Sequence, residues 1–472
     1  MTGPVRDVWT AIGGAPDLLD RLASAGVHES ARTGALPSSF DVEGLALGAF
    51  GALGLAVAEW SRADGPVVVD PAGVANAVRS ELAVRPGDAP LTEAPNPLSG
   101  VFAAADGWVR LHGDSARHRG VIMRVLGTDD PAGVAAALAA QPAEAVEAAL
   151  HRGGGAAAAA RSLDAWGRHP HGRTVTELPL VTTTRRADRA EGVRGGADRE
   201  RGRQPQPAMP RLRVLELSGG YAAPIAGRAL AWFGADVLRI AQPGGAEPDA
   251  FRVDGDAGKR VVTLDLRTTA GRLVFLDLLA DADVFLNGLR PGVLERLGLG
   301  ADARAAVRPG VIDASVSAYG ATGGWAGHRG SDRLLQFSCG LAVAEAAAAG
   351  APVERGGLPA PRALPCDILD HATGVLLAAG TLRALAARRG DGAGRTVSAS
   401  LARTAAFLAS TGGRLLDPEA TVAAPPPGSY VLAGSAGPTA HVPVPVSVGE
   451  LPAGWRSAPP LAGSDAPAWP LA

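Results

Sequence analysis

The spacing of apolar and polar residues along the chain switches repeatedly between the helical and the extended period. Leu212 to Leu217 is a short apolar run with β-branched content, closed by Ser218-Gly219-Gly220. Pro224 to Phe233 has helical spacing, and Ala235 to Ile240 is apolar again. Strand, glycine turn, helix, strand is the opening of a doubly wound parallel sheet, in which ligands collect at the carboxyl ends of strands. The turn lacks a full G-x-G-x-x-G, so it does not by itself specify a dinucleotide.

Upstream, the pattern predicts a helix between Val8 and Ala25, interrupted near Gly13-Gly14, and a polar loop through Pro37-Ser38-Ser39. Asp41 to Trp60 has helical spacing; Gly65-Pro66 then turns the chain into the strand VVVD and the helix VANAVRSEL. A small-residue helix, glycine turn, β-branched strand and helix recur in LAAGTLRALAARRGDGAGRTVSASLARTAAFLA, the pattern of an internal duplication. The same succession is common in α/β proteins, and Ala-rich sequences align easily. Val101–Ala103 and Trp108–Leu111 predict a hairpin across Asp106-Gly107, followed by a helix to Leu126. Pro131 to Leu150 is an amphipathic helix with a break expected at Pro142. From about Thr183 to Pro210 the chain is charged, Gly-rich and Pro-containing, the composition of a flexible linker. The expected divisions are residues 1–40, a helical segment; 41–185, containing a smaller α+β domain; 186–209, the linker; 210–415, the sheet domain; and 416–472, a Pro-rich tail.

At 472 residues the chain can hold two or more domains and a large core. With 45 basic and 47 acidic residues it offers no bulk attraction to nucleic acid or anionic membrane, and neither is expected as a partner. Cys339 and Cys366 are too few for a disulfide framework, which points to a cytoplasmic protein of bacterial type. The N-terminus has no basic-then-apolar signal pattern, and no uninterrupted apolar stretch of about 20 residues suggests a membrane span. His112, His169 and His171 have no HExxH or Cys/His spacing; they read as surface residues, and no metal is expected.

Several spaced landmarks narrow the picture: Gly234-Ala235-Asp236-Val237, Gly258-Lys259-Arg260, Leu264-Asp265-Leu266, Arg290-Pro291-Gly292-Val293 and Arg296-Leu297-Gly298-Leu299-Gly300. In this order they resemble the class III CoA-transferases, the family that includes formyl-CoA and carnitine-CoA transferases and α-methylacyl-CoA racemase. The resemblance runs from about Leu212 to Leu408, and residues around the predicted hairpin resemble the start of the family's small domain. It implies coenzyme A as substrate, an acyl-CoA and a carboxylic acid as partners, and an intertwined homodimer. The order here is unusual, because small-domain-like sequence precedes the sheet domain. The alternative to a homodimer is one chain that supplies both parts of one site.

Asp370, in LPCDILDHATGVLLAAG, is the candidate nucleophile. It stands at the boundary of a helix predicted to start near His371, where unpaired amides and the helix dipole stabilise a carboxylate. Asp is also a preferred N-cap, and Asp367 is available for the same job. The resemblance favours Asp370, because the family's catalytic aspartate precedes a glycine by four residues, as Asp370 precedes Gly374. It implies covalent catalysis through an aspartyl intermediate. By position it also carries over a CoA site: the glycine turn at Gly219 and Gly220, basic contacts at Lys259, Arg260, Arg267, Arg296 and Arg329, and apolar walls at Leu264, Leu289 and Val293. Gln242 and Gly288 depart from the family's pattern. The racemase branch uses a Gly-His-Asp context where this chain has Gly330-Ser331-Asp332, which leaves 2-methylacyl-CoA racemization as the alternative activity. A catalytically silent CoA-binding homologue is the alternative outside enzymes, and Asp41 would then be a degenerate echo of Asp370.

Overall fold

Seven strands form the main sheet in a computed structural model describing residues 3–22, 33–87, 91, 96–189, 209, 212–244, 248–412, 422–434, 437–461 and 463–470. They are β1 (Thr182–Arg189), β2 (Arg213–Leu217), β3 (Asp236–Ala241), β4 (Arg260–Thr263), β5 (Val284–Asn287), β6 (Ile312–Ser317) and β7 (Ala393–Ser400). Their spatial order is β1-β7-β6-β5-β2-β3-β4, with β1 antiparallel to β7 and every other pair parallel. Parallel strands are covered on both faces and so read as nearly continuous apolar runs. Val214, Leu215 and Leu217 of β2 and Val284, Phe285 and Leu286 of β5 are all buried.

From β2 the chain winds outward through β3 and β4, returns to β5 beside β2, and winds the other way through β6 and β7. The β2–β5 boundary is therefore a topological switch point, where the loops leave in opposite directions and open a crevice. Ser218–Gly220 follows β2 and Gly288–Arg290 follows β5. A Cβ on Gly288 would lie 2.7 Å from Ala223 Cβ and 3.3 Å from Ser218 Cα. The departure to glycine at 288 thus follows from the close approach of the two loops.

The charged stretch that composition assigns to a linker begins instead with an ordered edge strand. β1, TTTRRADR, has no apolar face to betray it; its polar side chains suit an edge paired on one side only. Arg186 pairs with Asp188 at 2.8 Å, and Arg185 with Asp391 at 2.8 Å. Most of the remaining linker, 190–208, lies outside the described residues.

Three helices build the core beside the sheet: α1 (Val42–Ser61), α2 (Ala222–Trp232) and α3 (Ile368–Asp391), with α3 packed against both of the others. α1 is long and apolar enough to cross a bilayer, but 94% of its most apolar window is buried inside the protein, as expected of a core helix. A Cβ on Gly374 of α3 would fall 2.4 Å from the carbonyl oxygen of Ala222. This gives the glycine four residues after Asp370 a physical reason: it lets α2 and α3 touch, and so holds the β2 loop beside the start of α3.

The smaller α+β unit is a three-stranded antiparallel sheet of Gly100–Ala104, Gly107–Leu111 and Ala157–Ala159, covered by helices Ala116–Leu126, Pro131–Ala139 and Ala143–Arg152. The helix break falls at Pro142, as its missing donor requires. The tail is knitted into the fold. Val446–Val448 pairs with Val67–Val69, and Gly437–His441 pairs with Arg85–Pro86. Asp254 receives Ser80 Oγ at 2.7 Å, Tyr221 Oη at 2.5 Å and the Arg228 guanidinium. Arg228 also donates to the carbonyl of Val442, so one buried centre ties the N-terminal segment, sheet domain and tail together. At the far edge, Val261 of β4 exchanges hydrogen bonds with Asp465, whose carboxylate accepts at 2.7 Å.

Candidate active site

Asp370 lies in the first turn of α3 rather than just before the helix, which begins three residues earlier than the spacing predicts. Asp367 takes the capping position, but its side chain makes no capping bond and pairs with Arg333 instead. The Asp370 side chain is buried, with 7% of the residue exposed. Its backbone N–H donates to Asp332 Oδ2 at 2.9 Å, and Gln336 Nε2 donates to the other Asp332 oxygen at 2.5 Å. Burial, reinforced by Asp332 and Asp367, raises the Asp370 pKa well above the ordinary carboxylate range. Burial and Asp367 raise that of Asp332 too.

Glu81 reaches the same region from the N-terminal segment and accepts from His371 Nε2 at 2.9 Å. Neither Asp332 nor Glu81 stands out in the sequence, because each matters only through what it faces. Like-charged carboxylates this close resist ionising together. A reaction that converts Asp370 into a neutral acyl derivative relieves that repulsion.

The histidines are committed elsewhere. His371 is held by Glu81, and His328 stacks on His151 with ring centroids 4.2 Å apart. Burial lowers both stacked imidazoles to about 4, so they are neutral at physiological pH. Two histidines expected at the surface turn inward. His171 is buried and donates from Nε2 to the carbonyl of Tyr319 at 2.7 Å, while His169 stacks on Trp166. With Trp325 they seat the loop after β6 against the helices Leu163–Arg168 and Pro170–Thr176. His112 pairs with Asp114 at 3.0 Å. Asp41 caps α1, accepting from the Gly44 N–H at 3.1 Å. Counted from the cap, Gly44 stands where α3 has Asp370, so the first helix carries no second nucleophile.

Of the residues expected to hold CoA, several gather at the switch point. Gly219 and Gly220 are exposed there; a Cβ on Gly220 would meet no protein atom within 4 Å. Among the described residues none fills the space above Gly220, while Leu289 Cδ2 would lie 3.3 Å from a Cβ on Gly219. Leu264 follows β4 and Leu289 follows β5, both at carboxyl ends, and Val293 opens the short helix Val293–Arg296. Arg296 and Arg329 join Arg290, which the sequence marks only as a landmark, and Arg117, which it does not single out. Burial, then Arg290 and Arg117, lower Arg329 to about 10; burial, then Arg117 and Arg296, lower Arg290. Among the described residues none of these four arginines has a carboxylate partner. Arg290 donates to the carbonyl of Gly327 at 3.1 Å, linking the loops after β5 and β6.

Three expected contacts lie elsewhere. Lys259 is fully buried; its ammonium binds Glu216 at 2.6 Å and the carbonyl of Pro224 at 2.9 Å. Arg260 begins β4, at the opposite end from the crevice, and pairs with Asp236 at 2.9 Å. Arg267 is exposed and paired with Asp265 at 2.8 Å. Lys259→Ala is therefore expected to leave Glu216 buried and unpaired, costing about 3–5 kcal/mol in a denaturant titration. CoA affinity of the protein that remains folded should not change.

The site thus joins a switch-point crevice of an α/β protein, four mutually repelling arginines with no carboxylate partner among the described residues, and a buried carboxyl group at the start of α3. Residues 209–427 match the sequence profile of CoA-transferase family III. Relatives include an acyl-CoA transferase of Fusarium pseudograminearum, 31% identical, covering 44% of this chain and 48% of that protein. A probable fatty acyl-CoA transferase of Mycobacterium tuberculosis is 31% identical over 41% of this chain and 51% of its own length. The succinyl-CoA–L-malate CoA-transferase beta subunit of Chloroflexus aurantiacus is 33% identical over 40% of this chain and 48% of its own length. The chain spans about half the length of these relatives.

Proposed function

We propose that the protein transfers CoA from an acyl-CoA thioester to a free carboxylic acid, with Asp370 as nucleophile. The observation that carries this reading is the buried Asp370 carboxylate, crowded by Asp332 and Asp367. A carboxylate raised in energy by its neighbours gains most from acylation, which removes its charge. In the first step an Asp370 oxygen attacks the thioester carbon, the C–S bond breaks and CoA leaves as thiolate. The thiolate then attacks the aspartyl carbon of the anhydride, and the donor acid departs as its carboxylate. The acceptor carboxylate displaces CoA from the aspartyl thioester; the thiolate attacks the new acyl carbon and returns Asp370 as carboxylate. Arg117, Arg290, Arg296 and Arg329 supply the charge that the CoA phosphates require, and Leu264, Leu289 and Val293 supply apolar surface for adenine.

The test is trapping. Incubation with an acyl-CoA followed by hydroxylamine is expected to convert the acylated aspartate to a hydroxamate, read as a mass change on the peptide holding Asp370. Turnover with no label on that peptide would exclude the covalent route. CoA binding without turnover would leave the silent homologue.

A further inference from the structure

Arg110 sits in the strand Gly107–Leu111 between Val109 and Leu111, both buried in the core of the smaller unit. Successive side chains on a strand point to opposite faces. The guanidinium therefore leaves that core and crosses to the sheet domain, 5.5 Å from the centroid of the Phe337 ring. Phe337 belongs to the helix Asp332–Ser338, whose first residue binds the Asp370 amide. Burial lowers the Arg110 pKa, and Arg333, Asp367, Asp114 and Asp332 all act on it.

Its neighbours in charge are matched. Arg333 is paired with Asp367, and Arg161 holds Glu144 at 3.1 Å as well as Glu147. Arg110 makes neither an ion pair nor a side-chain hydrogen bond among the described residues. A ring contact engages the face of a guanidinium and leaves its N–H edges free. The geometry is that of a half-buried cation without its anion, on the wall facing the nucleophile's cluster.

We infer that Arg110 receives a second carboxylate of the acid, so that the substrates are short dicarboxylic acids. This rests on the reading of Asp370 as the site of CoA transfer. One carboxylate of such an acid exchanges CoA there. The other would enter a site walled by Asp332, which is held by the Asp370 amide and Gln336 and repels it when ionised unless a cation is supplied. A guanidinium fits a carboxylate through two parallel hydrogen bonds.

The experiment measures CoA transfer by the full chain to matched acceptors, succinate against butyrate and glutarate against valerate. The dicarboxylates are expected to have KM values about 10- to 100-fold lower, the range of one charge-assisted pair. Arg110→Gln should raise the dicarboxylate KM by that factor, leave the monocarboxylate constants within about twofold and leave CoA affinity unchanged; Arg110→Lys should recover part of the loss. Equal use of both acid classes by the wild type overturns the inference. So does a loss in Arg110→Gln that is the same for both, which would mark Arg110 as a counter-charge for Asp332 and Asp367. Failure of the transfer reading looks different: no acid accepts CoA and no hydroxamate forms at Asp370. Calorimetric binding of succinate against butyrate to the CoA-loaded protein then still decides the role of Arg110.

Discussion

Asp370→Asn is expected to abolish CoA exchange and, at the same time, to make the folded protein more stable above neutral pH. The amide keeps the shape of the carboxylate but is a far poorer nucleophile, so turnover should fall by orders of magnitude. The stability effect follows from the direction of the pKa shift. Burial, Asp332 and Asp367 raise the Asp370 pKa in the folded protein. Such a group contributes stability below the ordinary carboxylate pKa of about 4, and that contribution is lost as pH rises through the raised value. Asparagine carries no proton to lose. The wild-type denaturation midpoint should therefore fall on going from mildly acidic to alkaline pH, and the variant's should fall less. Catalysis needs the ionised form and so rises over the same interval. The site stores in its own instability the drive for acylation. Normal turnover by Asp370→Asn would exclude Asp370 as nucleophile.

Arg290→Ala with Arg329→Ala is expected to weaken CoA binding without disturbing the fold. Each charge-assisted hydrogen bond to a phosphate contributes about 1.5–3 kcal/mol, or roughly 10- to 150-fold in affinity. The two arginines act on one another, so the pair should lose less than the product of the single losses. The apo protein should lose little stability, because relief of the repulsion between the guanidiniums offsets loss of the Arg290 bond to the Gly327 carbonyl. Binding of CoA by calorimetry at two salt concentrations checks this: the wild-type affinity should drop with salt, and the variant's should drop less. An unchanged affinity would move the phosphates elsewhere.

Local signals made much of the fold legible. The glycine turn after β2, the helical spacing of α2 and the apolar run of β3 each sit within a few residues of one another, and each formed within about two residues of its expected bounds. What escaped the sequence depends on distant partners. Lys259 lies in a signature that suggests phosphate binding, but its carboxylate, on Glu216, is 43 residues away. β1 is polar on both faces and gains its place only by pairing with β7. The proline-rich tail is ordered by strands near Val67 and Arg85. Arg110 and Arg117 look like surface charge in the sequence, because lacking a carboxylate partner among the described residues has no sequence pattern.

Glu81 and Arg110 come from the first half of the chain, Asp332 and Asp370 from the second. The chain itself joins these two halves, so each holds the other at a high effective concentration.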